Sequence, residues 1–237
     1  MYSDTKAVSR QCEQKLTKIL TLRDRVPYNR SHHMEQKKTI REPKQKRSVE
    51  TRDKIRSAAL ALFCRDGYYG TTTNAIAKEA GVPLGSLYSY YADKDALFLE
   101  ILADYNALFV RANEEVLSRE DLYRADKRGW MRALIESLIA VHERSRELNR
   151  EIKILALSRP DIAEIRERND AVVRKLTLDF FARYQREFAI DDIESAATVS
   201  FTFISAVVDY LVFERPEADR KRIIDAAVEG LYRALKA

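Results

Sequence analysis

Four of the chain's six glycines fall between residues 67 and 85, so the first chemical question is what that permissive backbone serves. A phosphate-cradling loop is one answer, because glycines let backbone amides converge on an anion. That chemistry requires GxxxxGK(S/T) or GxGxxG behind a strand; neither pattern occurs, and no strand pattern precedes Gly67. Tight turning and close approach are the other answer. Gly81 stands where the chain reverses between two short helical patterns, and a left-handed backbone costs glycine little. Gly85 stands near the start of the next pattern, where a missing side chain lets backbone meet another surface, such as a DNA backbone or base edge. Tyr88 and Tyr90 follow, and helical periodicity turns both away from the core positions Leu87 and Tyr91 and toward that surface.

Catalysis is the competing class. The adjacent His32 and His33 and an isolated His142 supply no nucleophile, base and orienting group in one pattern, and HExxH, GxSxG and paired CxxC motifs are absent. Cys12 and Cys64 lack ligand spacing and a neighbouring histidine cluster, which speaks against a zinc site and a disulfide framework and favours a reducing, cytoplasmic setting. No cofactor is expected. A helical enzyme acting through carboxylates and a non-specific architectural DNA-binding protein are the alternatives to a sequence-specific DNA reader.

The elements that position these residues read as helices. Low Gly and Pro with abundant Ala, Leu, Glu and Arg favour an all-α chain, and 46% hydrophobic residues in 237 supply a core. From Ser48 a first helix carries Ile55, Ala58, Ala59, Leu62 and Phe63 at helical spacing and ends at Gly67. The threonines of TTTN offer a cap for a second helix with Ile76 and Ala77 inward. Gly81 makes the turn, Val82 and Leu87 fill the shared core, and a third helix runs through Tyr91. Two short helices joined by a tight glycine turn outline a helix-turn-helix. Asp93 caps a fourth helix with a broad apolar face through Phe109.

The stretch TTTNAIAKEAGVPLGSLYSYYADKDAL, residues 71–97, resembles the DNA-binding signature of TetR/AcrR family transcriptional regulators. The match covers about 50 residues, from the first helix to the start of the fourth. The resemblance implies an amino-terminal three-helix DNA-binding domain, a helical effector-binding and dimerisation domain, and repression relieved by a small molecule. Carried over by position, Thr73 and Asn74 reach the phosphate backbone and a flanking base. Leu84, Gly85 and Ser86 lead the recognition helix into the major groove; Tyr88, Ser89 and Tyr90 follow on the groove side. Lys94 matches a lysine that contacts phosphate. Two departures stand out. Tyr91 occupies a position where the family has Phe or another apolar residue, so its hydroxyl needs a partner if the ring packs inward. The recognition helix also holds no Arg or Lys, which shifts specificity from bidentate guanine contacts toward thymine methyls, hydroxyl bonds and DNA shape.

The expected organisation is a basic extension over 1–47, the helix-turn-helix domain over 48–95, and a helical effector and dimer domain over 96–237. Charge follows it: 13 Lys or Arg stand against 5 Asp or Glu in residues 1–47, whereas 48–95 balances. The basic segment is suited either to solvation or to lying along DNA phosphates. The apolar run at 196–213 is broken by Asp209 and reads as a buried bundle helix, so no membrane segment is expected. In the body, Phe109, Trp130, His142, Phe180, Tyr184 and Phe203 are candidate linings for a small apolar or aromatic effector. Two last helices divided by Pro216 supply Val207, Leu211, Ile224, Val228, Leu231 and Leu235 as a candidate homodimer face. A dimer would present two heads to a palindromic, double-stranded operator.

Overall fold

The computed structural model describes residues 46–188, 190–214 and 219–236. All but the last two residues of the expected basic extension lie outside this range, as does Pro216. The described residues are helical and contain no strand, as the composition requires. They divide into two compact units, residues up to 107 with 147–153, and residues 108–146 with 154–237.

The first unit holds α1 (Lys46–Gly70), α2 (Thr73–Glu79), α3 (Leu84–Tyr90), the beginning of α4 (Lys94–Leu117) and part of α7 (Arg146–Ser158). Helical geometry in α1 breaks at Gly67, with φ 73° and ψ 168°, so the helix ends in substance where the sequence places its stop. Thr72 caps α2 by accepting from the Ala75 amide at 3.2 Å, and Asp93 caps α4 by accepting from the Ala96 amide at 2.7 Å. Gly81 closes α2 at φ 65°. Its amide donates to the Lys78 carbonyl at 3.1 Å and the Val82 amide to Ala77 at 3.0 Å, the paired bonds of a Schellman motif. Leu87, Ile76 and Ala77 are buried, as are Ile55, Ala59, Leu62 and Phe63 of α1, while Val82 is only half-buried. Gly81→Ala is expected to cost roughly 1 kcal/mol of stability, because alanine must hold a left-handed backbone there; an unchanged chemical-denaturation midpoint would contradict it.

A buried ion network ties α1 to α4. Arg56 is 1% exposed, lies 3.3 Å from Glu100 and pairs with Asp104, while Arg52 reaches Glu100 at 2.5 Å. The Tyr91 ring packs inward, and its hydroxyl accepts from Arg52 Nε at 3.3 Å, which supplies the partner that position needs. Burial, then the Glu100 carboxylate, pushes the phenol's pKa up, so it stays protonated.

The second unit contains the rest of α4, α5 (Glu120–Ala125), α6 (Lys127–Arg144), the end of α7, α8 (Pro160–Arg183), α9 (Ile193–Asp209) and α10 (Arg220–Lys236). A 3-10 turn at Gln185–Glu187 follows α8, and a π-helical turn at Tyr210–Glu214 continues α9. Pro160 opens α8 at a position where its missing amide has no helical partner to lose. Asp126 caps α6 and Asp192 caps α9 through the Gly129 and Ser195 amides. The core gathers Trp130, Leu134, Leu138 and Ile139 of α6, Phe180 and Phe181 of α8, Ile204 and Val208 of α9, and Val228 and Leu231 of α10.

Candidate nucleic-acid interface

The turn at Gly81 brings the start of α2 beside α3. Tyr88, 46% exposed, places its hydroxyl 3.0 Å from Thr73 Oγ1, so the two expected contacts share one outer surface. Asn74, Leu84, Gly85 and Ser89 are exposed beside Tyr88, and Thr73 and Ser86 are half-buried. The Ser89 hydroxyl donates to the Gly85 carbonyl at 2.9 Å. The surface therefore offers hydroxyls, an amide, a phenol and a leucine, with no cation from α3.

At Gly85, as at Gly230, nothing among the described residues requires a glycine. Its backbone is not left-handed, and a Cβ built there meets no atom within 4 Å. Glycine lowers helix stability relative to alanine, and at neither position does a contact among the described residues offset that cost.

Two expected contacts are placed elsewhere. Tyr90 is half-buried with its hydroxyl 3.0 Å from Ser48 Oγ of α1. Lys94 Nζ donates to the carbonyls of Tyr68 at 2.7 Å and Thr71 at 2.9 Å, and lies 4.1 Å from the Tyr68 ring centroid. In this structure its ammonium secures the end of α1 instead of pointing out from the surface. Glu151, absent from the sequence reading, completes the grip: it accepts the Tyr68 amide at 2.6 Å, just after the break at Gly67. The Tyr68 hydroxyl donates to Asp95. Lys94 and Glu151 thus fix the backbone that leads into Thr71–Thr73. No nearby sequence signal marks Glu151, which stands 83 residues from its partner.

The second unit encloses a narrow cavity of about 40 Å³. Phe109, Trp130 and Phe180 line it as expected, with Tyr123, Phe201 and Ile204. Trp130 stacks on Phe180 at 4.5 Å and 11°, and its indole donates to the Val116 carbonyl at 2.9 Å. Asn113, Thr177, Ser200 and Ser205 supply the polar lining, and no charged side chain is present. His142 is not among the lining residues; it meets Phe109 edge-on at 5.1 Å. Tyr184 lies behind the wall against Tyr123 and Phe180. Phe203, 38% exposed, belongs to the outer face of α9. An almost wholly apolar helix carries no polar stripe to set its rotation, which is why Phe203 reads as inward.

The residues of the expected dimer face are placed as follows. Leu211, Ile224, Val228, Leu231 and Leu235 are buried within the chain itself, with Val207 half-buried, so the first five have almost no surface to give a partner. The apolar line that α9 exposes is Val199, Phe203, Ala206 and Tyr210. Helix Ile193–Glu214 is long and apolar enough to cross a membrane by length and composition, with mean hydropathy 1.7.

Residues 55–101 match the family model of bacterial regulatory proteins of the tetR family, and residues 128–235 match that of the tetracyclin repressor-like C-terminal domain. Over 52 residues the chain is 50% identical to the HTH-type transcriptional regulator LmrA of Bacillus subtilis (strain 168), covering 22% of this chain and 28% of that protein. Over 53 residues it is 51% identical to the HTH-type transcriptional regulator HbdR of Aromatoleum sp. (strain CIB), covering 22% and 23%. The chain thus matches about a quarter of the length of these relatives. A Mesorhizobium loti MAFF303099 structure assigned to the TetR family has a TM-score of 0.63 at 22% identity, covering 81% of this chain and 100% of that one, a likeness of fold. With an amino-terminal and a carboxy-terminal family match on one chain that has this fold, the protein belongs to the TetR family of bacterial regulatory proteins.

Proposed function

We propose that the chain is a sequence-specific DNA-binding transcriptional regulator, acting as a homodimeric repressor released from a palindromic operator by a small effector. The surface of α2 and α3 supports this, and Gly85 carries it: a glycine without an internal reason stands where a major-groove helix would approach DNA. Thr73, Asn74, Leu84, Ser86, Tyr88 and Ser89 are the contacts, with Lys94 positioning the chain that holds them. Lacking Arg and Lys, α3 reads thymine methyls and groove shape more than guanine. Selection from a randomised duplex library at physiological salt tests the reading. One enriched palindrome is the expected result; uniform binding to all duplexes would favour a non-specific binder.

The cavity is the effector site, and its uncharged lining favours an apolar or aromatic group. Helix α4 contributes to both units, and its displacement on effector binding would alter the heads. Reciprocity then requires operator DNA to weaken effector binding by the same factor.

The exposed line of α9 is the dimer face. Phe203→Glu puts a charge in that apolar line and is expected to shift the chain from dimer to monomer in sedimentation, with roughly tenfold weaker binding to the selected palindrome. A variant that sediments as wild type would place the dimer contact elsewhere.

A further inference from the structure

Beside the apolar cavity lies an open polar groove of about 570 Å³, between α5 and the end of α8. Tyr123 and Phe180 form the cavity's wall, and Tyr184 lines the groove. Their rings meet: Tyr184 stands 4.5 Å from Tyr123 and 4.9 Å from Phe180, centroid to centroid. One layer of aromatic rings therefore connects the two spaces.

The groove's charges are unevenly committed. Arg183 pairs with Glu120 at 3.1 Å, and Lys127 pairs with Glu187 at 2.9 Å. Arg124 and Arg186 also line the groove, and among the described residues neither meets a carboxylate at ion-pair distance. Arg124 lies over the Tyr184 ring at 5.9 Å. Tyr184 is 5% exposed; its buried hydroxyl has no hydrogen bond of ordinary geometry, and the Glu120 carboxylate of the groove is the acceptor it faces. Burial, then the Glu120 carboxylate, raises its pKa, so the phenol stays a donor.

The cavity alone is too small for more than a few atoms, so a larger ligand must displace its wall. Rotation of Tyr123 and Tyr184 would join cavity and groove into one site, apolar within and cationic at the mouth. We infer that the effector is an organic carboxylate with an apolar body: the body takes the cavity against Trp130 and Phe180, and the carboxylate rests between Arg124 and Arg186, accepting from the Tyr184 hydroxyl. Guanidinium groups suit a carboxylate through paired donors. This rests on the reading of the cavity as the effector site.

The test uses acids and their neutral amides on the full-length protein. Decanoate and decanamide are titrated against the fluorescence of Trp130, the chain's single tryptophan, and cinnamate and cinnamamide by calorimetry. At neutral pH at least one acid is expected to bind roughly tenfold more tightly than its amide. The double variant Arg124→Ala with Arg186→Ala should erase that preference, lowering acid affinity far more than amide affinity. Equal binding of acid and amide, or a preference that survives the double variant, overturns the carboxylate assignment and spares the cavity. No response to any of the four compounds overturns both. Neither outcome depends on DNA binding.

Discussion

Gly85→Ala is expected to stabilise the protein and cripple it. A Cβ at this position meets no atom within 4 Å among the described residues, and alanine is the better helix former, so stability should rise by about 0.5 kcal/mol. If α3 enters the major groove by its amino-terminal end, the same methyl group occupies space that DNA must fill. Affinity for the selected palindrome should fall by roughly tenfold to a hundredfold, about 1.4 to 2.8 kcal/mol. Opposite signs in denaturation and DNA binding distinguish a reading residue from a structural one. Gly81→Ala provides the contrast, since its left-handed backbone makes the substitution destabilising before DNA is considered. A Gly85→Ala protein that binds like wild type would remove the principal support for placing α3 in the groove.

The contrast between these glycines also explains what could be read from sequence. The head was legible because its determinants are local: Thr72 caps three residues away, Gly81 closes a turn, and Leu87 lies at the core phase of its helix. The family resemblance extended that reading to the body and matched the fold. Burial in the body was harder to assign, because α9 is apolar around most of its circumference and Phe201, Phe203 and Ile204 are alike in character. The half-burial of Tyr90 escaped the pattern for a related reason. Periodicity turned it outward, but the spacing could not reveal Ser48 on α1 as the partner that draws its hydroxyl away. Glu151 and Arg56 lay beyond local reasoning altogether, since charged residues at ordinary helical spacing acquire their roles only from helices distant in sequence.

Arg56→Ala should have the largest effect on stability. The guanidinium is buried among Glu100, Asp104 and Asp53, so its removal leaves carboxylates of α4 facing the gap with Arg52 as the nearby countercharge. Losing one partner from such a network costs about 3 kcal/mol or more, because the remaining charges stay desolvated. A chemical-denaturation midpoint close to wild type would show that the network is neutral. Replacing Arg56, Glu100 and Asp104 together with apolar residues should recover much of the stability, since the desolvated charges disappear as a set. Recovery of the fold without recovery of palindrome binding would show that the network also sets the geometry of the head.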